Sequence, residues 1–402
     1  MNKPKIYLDY AATTPVDPRV IKAMAPFWQE KFANPSSLHF FGQEAKQALD
    51  QARSKVAQFL GAKFEEIVFT SCATESINLA HKGLLENFYL RMKEKPRVIT
   101  TPIEHKAVLA TLEHLQKLGW AKIDYLKVDQ TGLVSLSDFD SLIKPETVLV
   151  SIGFVNNEVG TVQPIKKIGN WLKLANEKRK KQGWAKIYFH SDVTQAVGHF
   201  KINVDKLNLD LASFSGHKFY APKGIGVLYL RSGVPITRQQ DGGSQENHQR
   251  AGTENLSFIV GLAKALVIVE KERSQETKRI RNLSKRLIKG LLKVPGVHLI
   301  GNCQERAPHI VSILVDGVEG ESVLLALSDL GIAVSSGSAC TSGELKPSHV
   351  LLAMGISPSK AHGSIRFSLG RWTMRKEIDY LIKVFPGAIE KLRRIGKGIN
   401  KN

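Results

Sequence analysis

Long apolar runs, cysteine and acidic residues are what this 402-residue chain has least of. No stretch of about eighteen consecutive apolar residues occurs, the length a helix needs to cross a bilayer, which excludes a membrane-spanning helix. There are three cysteines, Cys72, Cys303 and Cys340, too few and too scattered for a disulfide framework or a zinc site. No metal is therefore expected, and a reducing, cytoplasmic setting fits. The first nine residues lack the basic-then-apolar order of a secretory signal. Acid is the scarce charge: 37 Asp and Glu stand against 57 Lys and Arg, a formal net charge of +20. The bases are spread widely, with local runs only at Lys178-Arg179-Lys180-Lys181 and Arg393-Arg394. No zinc-finger spacing, basic zipper or aromatic–basic RNA motif accompanies them. The excess thus reads as solvated surface, with an acidic protein partner as the alternative, and no dedicated nucleic-acid site is expected.

What remains is ordinary globular material, 43% hydrophobic and 23% charged, long enough for two domains or one elaborate one. Alternating or fully apolar runs predict strands at 6–10, 66–70, 97–101, 147–154, 186–190, 209–214 and 227–230. Helical spacing predicts helices over 20–32, 42–60, 107–118 and 165–180, and one that begins after the 71–76 turn and runs through Leu85. Strands that alternate with helices imply an α/β fold, a largely parallel sheet with helices on both faces. Ligands of such sheets sit outside the carboxyl ends of the strands. Thr74, His105, Asn157, Asp192, Gln195 and Lys218 all fall at such ends. Composition shifts near residue 260. Helices are predicted over 256–271, 276–292 and 320–330, with strands of a smaller α+β domain at 297–300, 309–315 and 363–370.

The chain is organised around Ser213-Phe214-Ser215-Gly216-His217-Lys218, which joins two of these strands. A lysine penned at a strand end and partly desolvated can lose its proton and act as a nucleophile toward a carbonyl. Lys218 would condense with an aldehyde cofactor, and Asp192 would keep a pyridine nitrogen protonated, making the ring an electron sink. Gln195 would donate to the ring's phenolic oxygen, and His105 would stack on the ring and shuttle protons. Thr74, Ser215 and His217 would hold a phosphate beside the N-terminus of a helix. Together these parts specify pyridoxal 5'-phosphate. Arg366, one arginine on an apolar strand, suits a bidentate grip on an α-carboxylate, with a structural ion pair as the alternative. Cys340 lies among serines and glycines, a setting in which a thiolate can enter the site. Cys303 reads as a small buried hydrophobe.

With these residues assembled, the chain resembles the NifS/IscS-type cysteine desulfurases of the class-V aminotransferase family, over nearly its whole length. The sharpest matches are Ser215-Gly216-His217-Lys218 and Ser335-Ser336-Gly337-Ser338-Ala339-Cys340. Glu104-His105-Lys106-Ala107-Val108, Asn156-Asn157-Glu158 and Arg250-Ala251-Gly252-Thr253 follow in order. The resemblance implies a fold-type I enzyme. Its large pyridoxal-phosphate domain, 16–260, would hold a mostly parallel seven-stranded sheet. Residues 1–15 and 261–402 would form a smaller α+β domain with the catalytic cysteine loop at about 335–347. It adds Ala73 to the phosphate site, gives Asn157 a role in holding cofactor and substrate, and makes the chain a homodimer in which Thr253 reaches the partner's cofactor phosphate. Its activity would take sulfur from L-cysteine, leaving L-alanine and a persulfide on Cys340. The persulfide would pass to an acceptor protein for iron–sulfur cluster assembly or other thiolation. Lys218 would take the substrate's Cα proton. Two departures stand out: Cys72 where the family usually has glycine, and Ala221 where it has glycine before Pro222. Both are read as tolerated. Rival readings are another reaction of the same cofactor, such as selenocysteine lysis or β-elimination, and a non-catalytic scaffold that binds through its basic surface.

Overall fold

The computed structural model describes residues 4–336 and 347–399. A seven-stranded sheet is built from β2 (Ile67–Thr70), β3 (Arg97–Thr100), β4 (Lys122–Tyr125), β5 (Thr147–Ser151), β6 (Tyr188–Asp192), β7 (Leu211–Ser215) and β8 (Gly226–Leu230), with β1 (Ile6–Tyr7) lying outside it. Its order is β2-β8-β7-β6-β5-β3-β4. Only β8 runs against its neighbours, pairing antiparallel with both β2 and β7. The carboxyl ends of β2, β3, β5, β6 and β7 therefore share one edge, as a parallel sheet requires. β5 and β7 are buried at every residue, which is why they read as continuous apolar or small-residue runs rather than alternating ones.

A four-stranded antiparallel sheet follows, ordered β12 (Ser335–Ser336), β13 (Ser364–Ser368), β10 (Ile310–Val315), β9 (Val297–Ile300). β1 pairs with β11 (Ile332–Ala333) in a separate two-stranded sheet, and a bridge from Asp9 to Ser368 ties the N-terminal arm to β13. Helix Leu256–Leu291 serves both sheets. Leu262 and Leu266 pack in the core beside the large sheet, while Ile280, Leu283 and Leu287 pack in the core with Ile313 and Phe367 of the small one. The sequence reading broke this segment into two helices at the charged stretch near 272–275. The chain runs through because Glu, Lys, Arg and Gln are good helix formers and no proline or glycine interrupts them.

Other departures have equally local causes. The helix predicted over 20–32 is instead Pro18–Met24 followed by a single turn, Pro26–Gln29, because Pro26 offers no N–H to continue the first helix. Strand β4 escaped notice because it is an exposed edge of four residues, Lys-Ile-Asp-Tyr. The C-terminal helix Arg375–Ile399 was also missed, although Ile378, Leu381, Phe385 and Ile389 mark its buried stripe. Cys303 is exposed, not buried as read from sequence. It follows Asn302, whose side-chain oxygen accepts the N–H groups of Gln304 and Glu305 in a surface turn. Among the described residues no helix is long and apolar enough to cross a membrane, and no cluster of ligating side chains could hold a metal.

Candidate active site

The shared strand edge, the N-terminal arm and β13 enclose a cavity of about 340 Å³. Five strand ends supply its polar lining. After β2 come Ala73 and Thr74; after β3, Glu104 and His105; after β5, Asn156 and Asn157. β6 ends on Asp192, with Gln195 three residues on, and β7 ends on Ser215, followed by His217 and Lys218. Arg366 enters from β13. Ten of the sequence-derived candidates thus meet in one space. Thr253 does not: it lies exposed in the loop after 250 and lines no part of this chain's cavity. Cys340 lies outside the described residues, as does most of the expected 335–347 loop, although Ser335 at its start lines the cavity.

Helix Ala73–Tyr89 begins at Cys72, whose side chain makes no capping hydrogen bond. Neither Ser71 nor Thr74 serves as a plain N-cap. Instead Glu75 accepts from the Ser71 amide at 2.7 Å, and the first N–H groups of the helix are left without a cap, the arrangement that attracts an anion. Gly226 permits it: a Cβ there would lie 2.5 Å from the Cys72 backbone. The Cys72 side chain is half-buried and lines the cavity.

Lys218 donates to the carbonyls of Ala11 and Ala12 at 2.8 and 2.6 Å. Two carbonyl acceptors fix the direction of an otherwise flexible amine. Asp192 accepts the Thr194 amide on Oδ1 at 2.9 Å. Gln195 donates to Ala11 at 3.0 Å and accepts from His309 at 3.1 Å. His105 accepts the Ala107 amide on Nδ1 at 3.1 Å. Burial pushes its imidazole below the ordinary range, Asp192 opposes that shift, and Lys218 adds to it. A neutral ring whose Nδ1 accepts carries its proton on Nε2. His217 meets the Thr13 hydroxyl at 3.1 Å, and burial, with Lys218 second, lowers its pKa to about 4.

Arg366 is not the isolated arginine that its apolar neighbours suggest. Its two terminal nitrogens donate to Asp9 and to the Asn157 carbonyl, each at 2.9 Å. Its buried Nε has no partner among the described residues. Asp9, Ala11, Ala12 and Thr13 had no site role in the sequence reading. In sequence they form a small-residue turn after a short strand, within the stretch Tyr7 to Pro15 that shares the resemblance noted above, and their position depends on the long-range β1–β11 pairing. Glu104 was likewise read only as part of a matching motif. It is buried and accepts from Thr101 at 2.7 Å and from the Gly153 amide at 2.9 Å. Burial, reinforced by nearby Asp192, raises its carboxyl to about 7.

The loop that carries Thr253 has its own support. Glu246, Asn247 and His248 have φ values of +50°, +53° and +63°, a left-handed run that side-chain-bearing residues rarely adopt. The buried Arg53 guanidinium holds Glu246 through both carboxylate oxygens, at 2.7 and 2.8 Å. Arg250 in turn grips Glu75 at 2.8 Å, tying this loop to the first turn of the uncapped helix.

Comparison with known proteins finds relatives of the whole chain. The profile of the Aminotransferase class-V family matches residues 6–381. The cysteine desulfurase IscS of Dictyoglomus turgidum is 46% identical over 394 residues, covering 98% of this chain and 96% of the relative. Among known structures, a NifS-like protein superimposes with a TM-score of 0.88 at 40% identity, over 96% of this chain and 100% of its own. A protein named SspA, determined in complex with cysteine, gives a TM-score of 0.78 at 36% identity, over 93% of this chain and 100% of its own.

Proposed function

The chain belongs to the class-V aminotransferase family, as one of its cysteine desulfurases, and from that premise we propose that its cavity holds pyridoxal 5'-phosphate and works on L-cysteine. The observation that carries this reading is the convergence of Lys218, Asp192, His105 and Arg366 on one cavity that also receives an uncapped helix N-terminus. The donor set fits the cofactor. Ala73, Thr74, Ser215 and His217 surround a place for a phosphate, Asp192 keeps a carboxylate oxygen for a ring nitrogen, and Gln195 keeps an amide N–H. Asn157, which lines the same cavity, would contact cofactor and substrate. When bound, the pyridine aldehyde supplies an electron sink for bonds to the carbon beside the substrate amine.

The residues divide the remaining work. Arg366 orients the substrate carboxylate: Asp9 and the Asn157 carbonyl each hold one terminal nitrogen, and Nε, without a partner among the described residues, is left as a donor. Lys218, steered by two carbonyls, takes the Cα proton at Nζ. His105 delivers a proton from Nε2. The Cys340 thiolate attacks the substrate sulfur, so that a sulfur–sulfur bond forms as the carbon–sulfur bond breaks. The carbon keeps the bonding pair and gains a proton, leaving L-alanine and a Cys340 persulfide. Cys340 is five positions after cavity-lining Ser335, a reach of at most about 18 Å.

The same proposal includes a homodimer in which Thr253 serves the partner's phosphate site, a cytoplasmic location, and an acceptor protein that receives the sulfur for iron–sulfur cluster assembly or other thiolation. It also divides the chain into a cofactor unit, 16–260, and a smaller unit, 1–15 with 261–402. Cys340→Ser provides the test. The variant should retain the cofactor's visible absorption yet form neither persulfide nor alanine, and full activity in it would end the assignment.

A further inference from the structure

The side chain of Gln195 ends in one oxygen and two N–H groups, and what holds the amide decides which of them faces a bound cofactor. The Ala11 carbonyl accepts from its nitrogen at 3.0 Å. A carbonyl cannot donate, so the amide oxygen points the other way, to His309 Nε2 at 3.1 Å. That oxygen only accepts, and His309 therefore carries its proton on Nε2 and donates it. One N–H of Gln195 is spent on Ala11, and the second is left for the cavity that Gln195 lines. A rotated amide would set oxygen against the Ala11 oxygen and N–H against N–H at His309.

The surroundings of His309 keep this orientation in place. It is 4% exposed, and its ring lies on that of His199, centroids 4.1 Å apart and planes within 16°. Burial, with His199 and then Arg366 adding to it, holds His309 well below the ordinary histidine range. Burial, with Arg273 second, lowers His199 to about 4. Both rings are thus neutral near pH 7, and no charge repulsion opposes the stack. His309 Nδ1 has no partner among the described residues. The charged groups facing the pair are Lys218, Glu272, Arg273, Glu276 and Arg371, around a small pocket that both rings line. Tyr10 and Tyr220 face the same pocket and stay protonated, because burial raises both. The His309 carbonyl accepts the Leu369 amide at 2.9 Å, and the next residue, Ile310, pairs with Ser368 of β13. The sheet that brings Arg366 to the cavity therefore also carries the hold on Gln195.

We infer that His309 is a positioning residue that aims the Gln195 amide at the cofactor's phenolic oxygen. The inference rests on the proposed place of the cofactor, with Gln195 beside its ring. An N–H aimed at that oxygen favours its negative form and lowers the pH at which it takes up a proton. His309 does not line the cavity, so its effect reaches the ring only through Gln195.

The test follows the visible absorption of the holoenzyme across pH and reads the midpoint of its change. His309→Phe keeps an aromatic ring on His199 and removes the donor. It should raise the midpoint by about 0.5 to 1 pH unit, the size of one hydrogen bond. His309→Gln, which puts back an N–H, should return it to within about 0.2 unit of the original. His309→Leu is a second loss variant and keeps the test decisive if His309→Phe does not fold. Midpoints unchanged in the loss variants, or His309→Gln shifted as far as His309→Phe, would leave His309 a packing residue and overturn the inference. Gln195→Leu runs beside them. A chain carrying both His309→Phe and Gln195→Leu should match Gln195→Leu alone within about 0.2 unit, and a further shift would show a route other than Gln195. An unmoved midpoint in Gln195→Leu itself sinks the reading of Gln195 at the ring, whereas a shift there without one in His309→Phe sinks the role of His309 only.

Discussion

Two layers of polar side chains lie on the same face of the large sheet, two residues apart along β6 and β7, and only the outer one is built for chemistry. The outer layer, at the cavity, has Asp192 and Ser215 at the strand ends with His105 and Arg366 facing the same space; the inner is Ser151, His190 and Ser213, of which His190 and Ser213 stand two residues before Asp192 and Ser215 and so on the same face. In the inner layer every hydrogen-bonding group is spent. His81 meets the Ile77 carbonyl through Nδ1 at 2.7 Å and Ser151 through Nε2 at 2.9 Å. Ser151 meets His190 Nδ1 at 2.9 Å, and His190 Nε2 meets Ser213 at 3.0 Å. A carbonyl only accepts, so the His81 proton sits on Nδ1 and Ser151 must donate to Nε2. His190 then donates from Nδ1, and Ser213 donates to it. Both imidazoles are neutral, and burial holds both below the ordinary histidine range. In the outer layer, among the described residues, His105 has one ring nitrogen engaged, Asp192 one carboxylate oxygen, and Arg366 an Nε without a partner. Residue type does not distinguish the layers. The donors and acceptors left over do.

Lys218→Ala should produce the largest effect, lowering turnover by about 10⁴-fold or more and removing the lysine-linked absorption band while the fold persists. His190→Leu should do the reverse. It strands the buried Ser213 hydroxyl and takes from Ser151 one of its two side-chain partners, and should cost about 2–4 kcal/mol in denaturant unfolding. Turnover per folded molecule should change little, and a collapse of turnover like that of Lys218→Ala would erase the contrast between the layers.

Acid titration sharpens the comparison further. His81 is held down to about 4, so between its ordinary value near 6.5 and about 4 the unfolded chain binds more protons than the folded one. Stability from the inner layer is then complete above about pH 6.5 and falls as pH drops toward 4. Glu104, raised to about 7, works in the opposite sense: the folded form binds the extra proton, and its contribution erodes as pH rises from about 4.5 through 7. Melting curves across this range should slope downward toward acid, less so in His190→Leu, and Glu104→Gln should flatten the neutral side. Cys303→Ser should give the smallest effect, within about 0.5 kcal/mol and with unchanged turnover, as for an exposed side chain away from any such network.

The sequence by itself determined the alternation of strands and helices and the identity of nearly every strand-end group. Apolar periodicity, small-residue turns and motif order are local quantities that survive in one dimension. It also marked Lys218, Asp192 and Arg366, because a charged residue beside a buried strand is conspicuous on the page. The partners of those groups were decided only in three dimensions. Asp9 meets Arg366 and the Ala11 carbonyl meets Lys218 across separations of 357 and 207 residues, and such contacts depend on strand pairing that no local pattern encodes. The division of the histidines into spent and available was likewise beyond the sequence, since it depends on which nitrogen finds an acceptor once the sheet and the helix Ala73–Tyr89 have packed.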